Sequence, residues 1–274
     1  DPRMFKILGA NMYKGDLGKV AVKELIQNAV DSVRHLNLQG KISVNVDNAT
    51  RTINVVDNGH GMLPEVMSKE LVDIGGSYKP TEGSSGGFGL AKVAMFANSE
   101  TTKIISVAKK GKDHIRTTLE GSGEDWVNKT MKMDSVRLLD YTGETGTSVQ
   151  IKLSPAVTWN TWAVEAQVRN TLSKDFMPGL EAKVDGRDLS PLESPSTPLT
   201  TLSIPGAKID LYSSGETFDV GAARVSVYNN RLYQFDLYIS LPQAVKLPQQ
   251  IIANVKASLS PEDPDYPFTT SREE

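Results

Sequence analysis

The chain has no cysteine among its 274 residues, which removes disulfides, thiolate metal ligands and a thiol nucleophile together. No apolar run approaches the length of a membrane span, and the N-terminus lacks the basic and apolar regions of a secretory leader. Positive charge is not concentrated anywhere: 30 Lys and Arg against 33 Asp and Glu give a net charge of −3. Contact with nucleic acid would therefore need a local patch or a segment elsewhere. Internal repeats are also missing. The apolar and charged fractions, 39% and 23%, are those of an ordinary soluble globular protein. These absences fit the interior of a cell, cytoplasmic or nuclear or within a host, rather than secretion or a membrane. The chain opens at Asp1 without a methionine and stops on TSREE, which reads as an excised piece of a longer protein.

What is present is organised. Residues 17–38 read as an amphipathic helix ending near Gly40. KISVNVDNATRTINVVDNG alternates like a hairpin with a polar turn at residues 47–50. A short helix over 65–74 precedes GGSYKPTEGSSGGFG, a loop dense in glycine and serine, and LAKVAMFA follows as a helix. Four strand candidates then run to residue 154. The order predicts an α/β (α+β) two-layer sandwich, with helices on one face of a mixed sheet. Composition shifts after Pro155: a helix at about 160–175, a Pro/Ser/Thr-rich stretch and further strands suggest a second α/β domain. The expected division is 1–154 and 155–274.

Three features carry chemistry. On the first helix, Leu25, Ile26, Ala29 and Val33 mark the apolar face, while Glu24, Asn28 and Asp31 form a polar row beside it. VVDNGHGM then ends a strand at Asp57 and adds Gly59, Gly61 and Met62. Finally, GSSGGFGLAKVA leads a glycine loop with Gly86, Gly87 and Gly89 into a helix N-terminus. A carboxylate at a strand end can accept a hydrogen bond from the amine of adenine, and the glycines after it let a flat base approach the backbone. A glycine loop before a helix offers free N–H groups and the positive end of a dipole to phosphate. An Asn oxygen is a hard ligand for Mg²⁺, and a Glu one turn earlier can orient or deprotonate a water beside that metal. Singly these are common loop and helix features. In this order, on these elements, they are specific.

With these motifs the sequence resembles the GHKL ATPase superfamily: type II topoisomerases, ninety-kilodalton heat-shock chaperones, MutL and MORC proteins, and sensor histidine kinases. KELIQNAVDS resembles its N box, VVDNGHGM its G1 box and GGFGLAKVA its G2 box. The resemblance implies a Bergerat ATP-binding fold with a closing lid over roughly residues 64–86. It implies Glu24 as general base, Asn28 as Mg²⁺ ligand, Asp57 as the adenine-reading carboxylate and Asp31 as a support at the pocket floor. Gly59, Gly61 and Met62 would lie against the base, and Thr147, in TGTSVQI, would support it through water. Gly86, Gly87, Phe88, Gly89 and Leu90 would present backbone N–H groups to phosphates, with Lys79 of the lid or Lys92 as further contacts.

The presence of Glu24, with Asp31 where histidine kinases typically carry Lys or Arg, favours hydrolysis over phosphotransfer. No phospho-acceptor helix is evident, and His35, His60 and His114 read as helix-end, turn and strand residues. GFGLAKV is nevertheless close to the kinase form of the G2 box. The ending SPEDPDYPFTTSREE resembles a chaperone middle-domain stretch whose Arg reaches the γ-phosphate, which would give that role to Arg272. Topoisomerases and MutL use a transducer lysine instead, for which Lys246 and Lys256 are candidates. The expectation is a Mg²⁺-dependent ATPase with a transducer-like or middle-domain-like second domain, forming a nucleotide-dependent homodimer that works as a chaperone-like clamp. A DNA-handling ATPase and a nucleotide-gated module without turnover are the alternatives. DNA or a protein client would be engaged through regions outside this segment.

Overall fold

A computed structural model describes residues 17–34, 40–72, 90–171, 180–190, 197–204, 207–213, 222–229, 232–240 and 251–257. It divides into two compact units, the first running to Pro191 apart from short excursions and the second taking most of the remainder.

The first unit is an eight-stranded sheet with helices on one face, which is the expected architecture. Helix α1 (Leu17–Arg34) buries Val22, Leu25, Ile26, Ala29, Val30 and Val33. It packs across strands β1 (Ile42–Asp47) and β2 (Thr52–Asp57). Those strands form the expected hairpin, with Val44 opposite Val55 and Ile42 opposite Asp57. Ile42, Val44, Val46, Ile53 and Val55 are all but fully buried, so period-two alternation fixes which face meets the helix. Helix α2 (Pro64–Met67) continues as a wider π-type turn over Ser68–Val72, in place of the single regular helix expected to residue 74. Helix α3 (Leu90–Ala97) leads into β3 (Ser99–Lys110), β4 (Asp113–Gly121), β5 (Lys132–Leu138) and β6 (Gly146–Leu153).

One helix between these strands has no counterpart in the sequence reading. Helix α4 (Gly123–Asn128) starts at a capping box in which the Ser122 hydroxyl accepts from the Asp125 N–H at 3.1 Å. The Asp125 carboxylate returns the favour to the Ser122 N–H at 2.8 Å. The Trp126 ring lies 6.1 Å from that of Phe96, and its Nε1–H donates to the carbonyl of Leu71 at 3.0 Å. Replacing Ser122 with alanine should lower stability by about 1 kcal/mol, the usual cost of a lost N-cap, with no change in ligand binding. Chemical denaturation followed by Trp fluorescence would measure it.

The expected division at residue 154 is corrected. Helix α5 (Thr161–Thr171) packs on α1, and β7 (Leu180–Val184) adds to the first sheet by parallel pairing with β1, followed by β8 (Arg187–Asp188). The sheet order is β5-β4-β3-β6-β2-β1-β7-β8. Asn48 in the β1–β2 turn explains the attachment: its N–H and Nδ2 donate to the two carboxylate oxygens of Asp185, at 2.8 and 2.9 Å. The same side chain accepts from Trp159 Nε1 at 3.0 Å. The Trp159 ring in turn sits against Gly18, where a Cβ would approach to 2.6 Å. Pro155 therefore begins a connection inside the unit rather than a linker.

In the second unit the described residues are strands: β9 (Thr200–Ile204), β10 (Ala207–Ser213), β11 (Ala222–Asn229), β12 (Leu232–Ser240) and β13 (Ile251–Ala257). They form one sheet in the order β12-β11-β13-β10-β9, with β11 and β13 parallel. Val225 and Val227 pack with Ile209, Leu211 and Val255. Asp210, only 2% exposed, belongs to the opposite alternation and meets Lys256 Nζ at 3.1 Å and Lys208 Nζ at 3.4 Å. Thr201 Oγ1 donates to it at 2.7 Å. Burial pushes the Asp210 carboxyl upward, but these donors and positive charges outweigh it and hold it below its ordinary value.

Candidate functional site

The site is built around the end of β2. Asp57 closes that strand, paired with Ile42 on one side and Thr147 of β6 on the other. Its carboxylate is 9% exposed and accepts from the Gly59 N–H at 2.8 Å. Ser32 of α1 and the Thr147 N–H also hydrogen-bond to it. Burial raises the Asp57 pKa to about 6, against the lowering effect of those three bonds and of the nearby His60. A buried carboxyl poised this close to neutrality is a frequent mark of a binding or catalytic site.

The backbone after Asp57 is shaped by glycine. A Cβ on Gly59 would overlap the Ser32 hydroxyl and approach the Asp57 carboxylate to 2.7 Å. Gly61 has φ +68 and its missing side chain would overlap the carbonyl of Val107. The turn is pinned from outside by Asn58, whose Oδ1 accepts from the Lys41 N–H at 2.7 Å. The Thr145 hydroxyl donates to the Gly59 carbonyl at 2.7 Å. Beneath it, the buried Ser106 hydroxyl on β3 accepts from the Met62 N–H at 2.7 Å and lies 3.0 Å from Thr147 Oγ1. The result is a buried carboxylate acceptor beside a glycine turn packed directly against Ser32 and the Val107 backbone.

Helix α1 supplies the other wall. Glu24 and Asp31 are half-buried, and Asn28 is exposed. The His60 Nδ1–H donates to the Ser32 carbonyl at 3.1 Å, so the helix is tied to the turn after β2 at both the backbone and the side chain of Ser32. Glu24, Asn28 and Ser32 recur every four residues, so they lie along one side of α1 about 6 Å apart. With Ser32 at the carboxylate end, Asn28 and Glu24 follow at increasing distance from Asp57 along the helix.

The structure thus brings together Asp57, Gly59, Gly61, Met62, Thr147 and the first helix. Lys79, Gly86, Gly87, Phe88, Gly89, Lys246 and Arg272 lie outside the described residues. Leu90 is the first described residue of α3. Lys256 is engaged by Asp210 within the second sheet. Among the described residues there is no group of three or more His, Asp or Glu side chains able to hold a metal by themselves. Ser32 and Ser106 were not singled out in the sequence. The only signal for Ser32 is its position, one further turn along the Glu24–Asn28 row.

Residues 16–147 match the family described as histidine kinase-, DNA gyrase B-, and HSP90-like ATPase. No curated protein matches the chain in sequence. Among solved structures, the ATPase region of Saccharomyces cerevisiae topoisomerase II aligns with a TM-score of 0.59 at 13% identity, covering 88% of this chain and 73% of that one. The same region bound to ICRF-187 (dexrazoxane) gives 0.58 at 12% identity with the same coverage. The ATPase and transducer domains of DNA topoisomerase II from Balamuthia mandrillaris give 0.57 at 15% identity, covering 80% of this chain and 60% of that one. At these identities the likeness is one of fold.

Proposed function

Because residues 16–147 form a domain of the histidine kinase-, DNA gyrase B- and HSP90-like ATPase family, we propose that this chain binds ATP at the end of β2 and hydrolyses it. The observation that supports this best is the buried Asp57 carboxylate at the end of β2, an acceptor fixed by the tightly packed turn of Gly59 and Gly61. Asp57 takes the amine of adenine, and Gly59, Gly61 and Met62 meet the base, with Thr147 and Asp31 in support. The glycines 86, 87 and 89, with Phe88, Leu90 and Lys79, receive the phosphates. Asn28 would hold Mg²⁺, and that ion would supply charge neutralisation to the phosphates. Glu24, farther along α1, orients and deprotonates the attacking water. Arg272 supplies a positive charge for the γ-phosphate.

Hydrolysis serves a conformational cycle in a larger protein, in which nucleotide orders the lid and promotes a homodimeric clamp like that of the chaperones. The second unit acts as the transducer of that cycle. A second reading, a DNA-handling ATPase, draws support from the shared fold with topoisomerase II ATPase regions over 88% of the chain. Steady-state phosphate release with Mg²⁺, with EDTA, and with added duplex DNA tests both readings. The first predicts Mg²⁺-dependent turnover indifferent to DNA, and the second predicts stimulation by it. Background turnover under all conditions, with ATP bound, would overturn hydrolysis and leave a nucleotide-gated module.

A further inference from the structure

We infer that Ser32 is a positioning residue for Asp57: its hydroxyl holds the carboxylate in place from the helix side, so that the carboxylate is presented to an N–H of the ligand. The inference rests on the nucleotide-binding reading given above, and it deepens that reading by naming what prepares the acceptor.

The Ser32 hydroxyl and Asp57 Oδ1 converge on the point where a Cβ on Gly59 would stand. An ionised carboxylate offers about four acceptor positions. The Gly59 N–H takes one at 2.8 Å, and the Ser32 hydroxyl lies beside the same carboxylate. What remains accepts and does not donate, which suits an exocyclic amine and disfavours a carbonyl oxygen at the same position. Ser32 is also held in place itself, because its carbonyl accepts the His60 Nδ1–H at 3.1 Å and its hydroxyl fills the space that any side chain at residue 59 would need. Serine and glycine at these two positions are therefore matched in size as well as in chemistry.

The groups around Asp57 are Ser32 from α1, Gly59 and His60 from the turn, and Thr147 from β6. Among the described residues His60 is the one ionisable side chain that acts on Asp57 through space, and it favours the carboxylate. Burial acts the other way and dominates. Removing the Ser32 hydroxyl deletes one of the bonds that favour the charged form, so Asp57 should then hold its proton to higher pH.

The experiment compares wild type with Ser32→Ala, a substitution that α1 tolerates because alanine is the best helix former. In the ligand-free proteins, the carboxyl ¹³C resonance of Asp57 is followed from pH 4 to 9. Its midpoint should rise by about one pH unit in the variant. In parallel, ATP affinity is measured over the same range. Wild-type affinity should be level above about pH 7 and weaken towards tenfold per unit well below pH 6. The variant should show the same fall displaced upward, with affinities converging to within about threefold at pH 8.5 or above. An unmoved Asp57 midpoint, or a loss of affinity equal at every pH, would overturn the assignment. If wild type binds no ATP at any pH while the Asp57 midpoint still moves, the nucleotide reading fails and the positioning role of Ser32 stands.

Discussion

Glu24→Ala should leave ATP bound but scarcely hydrolysed, with kcat reduced on the order of 10²- to 10⁴-fold, the usual contribution of a positioned general base. The carboxylate lies on α1 at the far end of the row that begins with Ser32, about 12 Å from it by helical rise, so its loss should not disturb the base pocket. Helix α1 should also remain intact, because its apolar face is untouched and alanine is favourable in a helix. Single-turnover hydrolysis and equilibrium nucleotide binding, measured on the same preparation, separate the two effects. Wild-type turnover in the variant would remove Glu24 from the mechanism. Reduced affinity matched by reduced kcat/KM, with kcat unchanged, would make it a binding residue instead.

Asp57→Asn should have the opposite signature, weakening ATP affinity roughly 10- to 100-fold. The bond to the amine loses its charged acceptor, and the new amide group points a donor at donors already present. The charged form of this residue is in tension with its burial, and that sets the pH dependence. The folded-state pKa, about 6, is above the ordinary carboxylate value of 3.8. The folded protein therefore binds this proton more tightly than the unfolded chain does. This group's contribution to stability is present in full below about pH 4 and is lost as pH rises through about 6, the reverse of a salt-bridged aspartate. A ligand that needs the carboxylate competes with the proton, so wild-type affinity should fall as pH drops below about 6, and Asp57→Asn should abolish that slope. Calorimetric titration with ATP at pH 5.5 and 7.5 would show it, since proton release on binding appears only in the wild type at the lower pH. A variant with wild-type affinity would move base recognition away from Asp57.

The parts of this site that could be read from the sequence are those whose chemistry is local. Asp57, Gly59 and Gly61 sit within five residues, and the reason for each is a backbone conformation or a strand end that the local pattern already implies. Ser32 and Ser106 could not be read in this way. A serine on a helix and a serine in a strand have no distinguishing local context, and their roles exist only once α1 and β3 are brought against the turn after β2. The polar row itself is visible in the sequence, which offers Asp31 as its last member, whereas the residue beside Asp57 is the next one along. Helix α4 had a legible start in Ser122 and Asp125, yet six residues between two strands are too few to show helical periodicity. A proline and a change of composition suggest a linker after residue 154, whereas the first compact unit runs on to Pro191. Parallel pairing of β7 with β1, more than a hundred residues apart, leaves no local trace.

That pairing also constrains when the first sheet can be completed. During synthesis, β1 and β2 emerge early and form their hairpin from adjacent sequence, but the other edge of β1 stays open until residue 184 has left the ribosome. Until then a run of unpaired N–H and C=O groups faces whatever chain is nearby, and such an edge invites strand addition from another molecule. A polypeptide ending at residue 154 would carry that exposed edge permanently, whereas one ending at Pro191 would have it covered by β7 and β8. The shorter product should therefore self-associate in a concentration-dependent way that the longer one does not.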